Sequence, residues 1–185
     1  TAGGIPLKMP DGDKTRPTAA RTKESLFSII QTDIHSSTVL DLFAGSGALG
    51  IEALSRGAKK AVFVEADKST CDIILNNLAK TKLHTSAEVV RMSVDSAIPF
   101  LASKRVKFGL VFIDAPYLEE LVLKTLQMLN DNAIIINSGL AVVEHHKNEI
   151  LPERIGCLHL ERKKEYGDTT ISFYVLHANG EHSQV

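Results

Sequence analysis

Four carboxylates are the residues best placed to do chemistry. Asp41, Glu65, Asp95 and Asp114 each stand at or just beyond the end of an apolar run that reads as a strand. In doubly wound α/β sheets, ligands bind outside the carboxyl ends of the strands, so one periodic sheet puts all four acids on one rim. The first opens a Gly-rich turn, Asp41-Leu42-Phe43-Ala44-Gly45-Ser46-Gly47-Ala48-Leu49-Gly50. Its glycines fit the dinucleotide fingerprint, with Glu65 as a ribose acid. Asp41 argues against a dinucleotide, because a carboxylate there would face the pyrophosphate and repel it. S-adenosylmethionine has no phosphate and carries a sulfonium and an ammonium, which a nearby carboxylate favours. By charge, the turn suits S-adenosylmethionine.

Each group then has an expected task. The two oxygens of Glu65 suit the vicinal hydroxyls of a ribose, with Ala66 beside it. Asp95 would accept from the adenine amino group, and the Ser96 N–H would face a ring nitrogen. Small residues let the turn backbone of Phe43, Ala44, Gly45, Ser46 and Gly47 approach the methionyl part closely. The plainer reading is that Asp67 and Asp95 cap helices.

A second element, Asp114-Ala115-Pro116-Tyr117, points to the reaction. The exocyclic amine of a nucleobase is a poor nucleophile, because its lone pair is delocalised into the ring. Two acceptors that hold the amine hydrogens can turn that lone pair toward a methyl donor. The Asp114 carboxylate and the Ala115 carbonyl are the candidates. Pro116 restricts Ala115 to extended geometry and so aims its carbonyl. Tyr117 offers a ring on which a base can stack.

The elements needed to position these groups are legible. Residues 1–17 are rich in Gly, Pro, Lys and Asp and read as an arm; residues 18–185 read as a single domain. Thr18 is expected to cap a helix through Leu26, Phe27 and Ile30. Strands are expected at 38–42, 61–65, 87–92, 108–113 and 140–144. Helices are expected over 47–56, ending at Gly57, after Asp67 with Ile73, Ile74, Leu75 and Leu78 inward, in a short segment through Phe100 and Leu101, and over 118–129. Ile134-Ile135-Ile136 fits either a strand or the tail of that last helix. Leu158–Lys164 and Ile171–Leu176 alternate around Tyr166-Gly167-Asp168, a hairpin signal. The pattern predicts an α/β, Rossmann-like fold: a seven-stranded, mostly parallel sheet with an antiparallel C-terminal hairpin.

Composition bounds the rest. The 185 residues suffice for one core without a disulfide or metal staple. No apolar run reaches the length of a membrane span. Cys71 and Cys157 are isolated, and the seven histidines show no ligand spacing with cysteine, so no metal site is expected. The net charge of −1 gives no global basic field. Lys8, Lys14, Arg16, Arg21 and Lys23 against Asp11, Asp13 and Glu24 make residues 1–26 locally basic. A cytoplasmic monomer is expected, and an organelle-targeting segment ahead of Thr1 stays open.

In order along nearly the whole chain, the sequence resembles the bacterial 16S rRNA guanine-N2 methyltransferases called RsmD. The matching residues are Arg16-Pro17-Thr18 with Arg21 and Glu24-Ser25-Leu26-Phe27; the Asp41–Gly50 turn with Glu52-Ala53-Leu54-Ser55-Arg56-Gly57; Val64-Glu65; Val142-Val143-Glu144-His145; and Tyr166-Gly167-Asp168-Thr169 before Ser172-Phe173-Tyr174. The glycine turn is shared by many methyltransferases; the Arg-Pro-Thr arm and the Tyr-Gly-Asp-Thr hairpin are narrower. The resemblance implies class I S-adenosylmethionine-dependent transfer of one methyl group to N2 of a guanine in small-subunit rRNA. Arg16, Thr18 and Arg21 are expected to engage the rRNA. The family signature has two prolines, Asp-Pro-Pro-Tyr or Asp-Pro-Pro-Phe, and Ala115 replaces the first. Family chains also normally carry a basic stretch before Gly3-Gly4, which is missing or shortened here.

Three other readings compete. A DNA adenine-N6 methyltransferase would use the same Asp-x-Pro-Tyr chemistry but usually needs a further recognition region. An NAD-dependent oxidoreductase must tolerate Asp41. A catalytically silent rRNA-binding assembly module has Ala115 as its only hint.

Overall fold

A computed structural model describes residues 5–10, 17–116 and 120–178, with backbone alone for residues 17–20. Arg16 and Tyr117 therefore lie outside the described residues, as does the side chain of Thr18. The elements are α1 (Pro17–Ile29), α2 (Gln31–Ile34), β1 (Thr38–Leu42), α3 (Ala48–Ser55), β2 (Lys60–Glu65), α4 (Lys68–Thr81), β3 (Ala87–Arg91), α5 (Val94–Ser103), β4 (Phe108–Asp114), α6 (Leu121–Asp131), β5 (Ile135–His146), β6 (Arg154–Ile155), β7 (Leu158–Tyr166) and β8 (Thr169–Leu176).

One sheet runs through the described residues in the order β3-β2-β1-β4-β5-β8-β7-β6. The first five strands are parallel, and the last three are antiparallel. The expected seven strands become eight, because the two-residue β6 adds to the outside of β7. No periodic signal can reveal a strand that short.

β1, β2 and β4 are buried on both faces, as their apolar runs require, whereas the edge strand β3 buries only Val90. One face, with Leu40, Val64, Val111 and Val143, packs against α5 and α6. The other, with Val39, Phe63, Phe112 and Val142, packs against α1, α3 and α4. Strand alternation then decides where every rim residue points.

Some local expectations shift. α1 begins at Pro17, so Thr18 is its second residue rather than its cap. Proline suits the first helical position, where the missing N–H is no loss. Asp67 does cap α4, accepting from Thr70 N–H at 2.8 Å. On that helix Cys71, Ile74, Asn77, Leu78 and Thr81 are buried, whereas Leu75 is 53% exposed. The ambiguous Ile135-Ile136 belongs to β5. Ile135 pairs with Phe108, and the register shifts before Leu140 pairs with Leu110.

Candidate active site

The strand order reverses between β1 and β4, and the crevice of a doubly wound sheet opens at such a switch point. β1 leads there into the Gly-rich turn. Phe43 holds a left-handed φ of +59°, as do Gly45 at +53° and Gly47 at +77°. A phenylalanine in this region stores on the order of 1–3 kcal/mol, which surrounding bonds must hold. They are present: Ala44 N–H donates to Val64 O (3.0 Å) and Gly47 N–H to Ala44 O (2.7 Å). Gly45 N–H donates to Glu65 Oε2 at 3.1 Å. The Ser46 carbonyl accepts from Asn77 Nδ2 at 2.9 Å.

The turn is open above and full below. A Cβ on Gly45 would meet only Phe43 O, at 3.9 Å. On Gly50 it would run into the Phe63 ring and lie 3.1 Å from Asp41 Oδ2. Gly50 is thus demanded by packing of α3 on the sheet, and Gly45 by conformation.

Asp41 is 1% exposed and accepts from Gly50 N–H at 2.9 Å. It therefore caps α3 from the neighbouring strand, satisfying an N–H of the first turn. Burial pushes its carboxyl up to about 8; the Gly50 bond opposes this, and Asp114 and Glu65 add to it. The charge reading gave Asp41 a direct role toward the ligand. The structure places the carboxylate beneath the turn, where it acts first on the turn itself.

Glu65 closes β2 half-buried. Its Oε1 accepts from Asp67 N–H at 3.0 Å, while Oε2 holds Gly45. Each oxygen keeps acceptor capacity for a further donor, as a diol needs. Ala66, next in line, is exposed. Asp114 ends β4 exposed, with Ala115 packed at 5% exposure against the α5–α6 side and Pro116 exposed. The Ala115 methyl fits where the resembling family has a proline.

Asp95 is not on this row. It lies in the first turn of α5, where Ser93 holds the N-cap position, so it is no cap. Lys124 Nζ donates to its Oδ2 at 2.5 Å, and both partners are about half exposed. Ser96 Oγ accepts from Ser93 Oγ at 3.1 Å. Arg21 is exposed on α1.

Two residues carried no role in the sequence reading. Glu144 is the register partner of Asp114 across β4 and β5. It ends the expected fifth apolar run, as the other acids end theirs, and that position was the available signal. Burial first, then Asp114, pushes its carboxyl up to about 7. Asn77 is fully buried and joins the arm to the turn: Lys8 N–H donates to its Oδ1 (2.8 Å), and its Nδ2 donates to Lys8 O (2.9 Å) as well as to Ser46. A polar residue on the inner face of a helix was its only trace in the sequence.

The helix that begins in the Arg-Pro-Thr segment meets the hairpin. Ser25 Oγ of α1 and Tyr166 OH of the hairpin are 2.7 Å apart. His145 is 2% exposed, and its Nε2 lies 2.9 Å from Ser172 Oγ, tying β5 to β8. Burial lowers its pKa and favours the neutral ring.

This donor set fits S-adenosylmethionine: carboxylates at the strand ends beside an open glycine turn. Comparison with known proteins agrees. The family model described as "Conserved hypothetical protein 95" matches residues 1–175. The ribosomal RNA small subunit methyltransferase D of Escherichia coli (strain K12) is 36% identical over 178 residues, 96% of this chain and 88% of that one. Its namesake in Haemophilus influenzae is 37% identical over 154 residues, 81% and 79% of the two chains. The solved yhhF protein of Escherichia coli superposes with a TM-score of 0.81 at 37% identity, covering 93% of this chain and 92% of that one. The Thermus thermophilus 16S rRNA N2 G1207 methyltransferase RsmC, solved with AdoMet and guanosine, shares the fold alone, with a TM-score of 0.70 at 20% identity over 91% and 45% of the two chains. The chain belongs to the Conserved hypothetical protein 95 family, the RsmD-type methyltransferases.

Proposed function

We propose that this enzyme transfers a methyl group from S-adenosylmethionine to the exocyclic N2 of a guanine in 16S rRNA, within the small ribosomal subunit. The observation that carries the reading is the Asp114-Ala115-Pro116 strand end beside the switch-point turn, in a chain of the RsmD family. The methyltransferase D relatives are named for small-subunit rRNA, and the RsmC neighbour is named as a 16S rRNA N2 G1207 methyltransferase.

S-adenosylmethionine supplies an electrophilic methyl group on sulfur. The turn from Phe43 to Gly47 would lie along its methionyl part, Glu65 would take the ribose hydroxyls, and Ala66, Asp95 and Ser96 would serve the adenine. Asp114 and the Ala115 carbonyl would accept the two amine hydrogens and free the lone pair. Tyr117 would stack the flipped base. Arg16, Thr18 and Arg21 would hold rRNA. No metal is needed for this chemistry, and we assign the enzyme to the bacterial cytoplasm as a monomer. No helix among the described residues is long and apolar enough to cross a membrane.

The test is incubation with labelled S-adenosylmethionine and under-methylated small subunits, followed by nucleoside analysis. Label in N2-methylguanosine is the expected result. In a parallel incubation with unmethylated DNA, label in N6-methyladenine together with unlabelled subunits would install the competing reading, and a thermal shift with NAD but not S-adenosylmethionine would remove both.

A further inference from the structure

Glu65, Asp41, Asp114 and Glu144 share one face of the sheet. Asp41 pairs with Phe63 and Phe112, Glu65 and Asp114 follow two residues later on their strands, and Asp114 pairs with Glu144. With side chains alternating, all four acids leave the α1–α3–α4 side at the carboxyl edge. Glu144 is the member for which methyl transfer as described has no use. We propose that Glu144, held beside Asp114 by strand register, accepts the proton that the target amine must lose. This rests on the reading of the enzyme as an N2 methyltransferase.

The reaction requires such an acceptor. The amine lone pair forms the new N–C bond, the C–S bond breaks, and its electron pair stays on sulfur, which becomes neutral. The positive charge passes to nitrogen, which then sheds one proton. Four acids could receive it, and the geometry separates them. Asp41 is fully buried and committed to Gly50. Glu65 holds Gly45 and Asp67 one strand further from β4. Asp114 is exposed and is the amine's hydrogen-bond acceptor. Glu144 is half-buried immediately beside it.

Its surroundings keep it in the useful range. On β4 it faces Asp114, and on β8 its register partner is the uncharged Ile171. One strand further, Lys164 of β7 pairs with Ile171 and is exposed to solvent. α1, packed on the same face, carries Arg21, Lys23 and Glu24 in its central turn, with Arg21 and Glu24 exposed. Burial and Asp114 together hold the Glu144 carboxyl at about 7. A base is most effective when its pKa lies near the working pH.

The test combines a titration with kinetics. Carboxyl-labelled Glu144, followed by NMR in the protein without rRNA, should titrate near 7 and should move toward the ordinary carboxylate range in Asp114→Asn. Single-turnover methylation of small subunits by wild type should rise with pH through the same value. Glu144→Gln should bind S-adenosylmethionine within about two-fold of wild type, methylate about 100-fold or more slowly, and lose that inflection. Glu144→Asp should recover part of the rate. A Glu144→Gln variant with wild-type rate and an unchanged inflection would overturn the proposal. So would an ordinary Glu144 titration that ignores Asp114. A wild-type protein that methylates no guanine fails in a different way, because there the parent reading falls before any variant is compared.

Discussion

The Asn77 side-chain amide pairs with both backbone groups of Lys8, accepting from its N–H at 2.8 Å and donating to its carbonyl at 2.9 Å. The same Nδ2 reaches the Ser46 carbonyl in the Gly-rich turn. One buried residue on α4 thereby fixes the N-terminal arm and the turn together. Replacing it leaves the buried Ser46 carbonyl unpaired, at about 1–3 kcal/mol, and releases the part-buried backbone bonds of Lys8.

Asn77→Leu should therefore lower the melting temperature and also weaken S-adenosylmethionine binding several-fold, as measured by calorimetry. Asn77→Asp keeps the acceptor for Lys8 N–H and should fall between Leu and wild type in stability. Lowered stability with unchanged cofactor affinity would confine Asn77 to a scaffolding role.

Glu65 supports Gly45 and Asp67 through separate oxygens. Glu65→Ala removes these bonds and the expected ribose acceptor. Hydrogen bonds to a charged group are worth about 1.5–3 kcal/mol, so cofactor affinity should fall roughly ten-fold or more. Calorimetry returning wild-type affinity would take Glu65 out of the site.

Asp114→Ala should reduce turnover far more than cofactor binding, because orienting the amine lone pair matters mainly in the transition state. The comparison is kcat on small subunits against the calorimetric Kd for S-adenosylmethionine. Near-normal methylation would remove Asp114 from the chemistry.

Asp41 makes the free protein sensitive to pH. Its folded pKa of about 8 lies above the unfolded value of 3.8, so the folded state holds an extra proton between them. Its contribution to stability is full below the unfolded value and is lost as pH rises toward 8. Thermal melts of wild type should fall across that window relative to Asp41→Asn, which cannot titrate. Parallel melting curves for the two proteins would show that Asp41 is ionised throughout.

β1, β2 and β4 were legible because both of their faces are buried, so each is an unbroken apolar run ended by an acid. The glycine turn was legible because its conformation admits few residues. What escaped depends on partners distant in sequence. Nothing near Glu144 announces Asp114, since only sheet register joins them. Asn77 meets Lys8 across 69 positions. Leu75 was expected inside by residue type, yet the inner face of α4 runs through 71, 74, 77, 78 and 81 instead. Asp95 looked equivalent to its fellow acids, and an ion pair with Lys124 on a different helix could not be read from spacing.

Strand order has a consequence for how the chain is made. β8, the last strand, lies between β5 and β7, and β6 and β7 join the sheet only through it. A chain synthesised from its N-terminus can assemble β1 to β5 while the outer edge of β5 stands bare. The 22 residues from 147 to 168 must then be added before Thr169 begins to cover it. At about 5–20 residues per second, that takes roughly one to four seconds. An uncovered edge invites pairing with any other strand nearby. Crowded nascent chains on one messenger should therefore aggregate through β5 most readily just before β8 is added. Shortening the chain within β8 should make that exposure permanent.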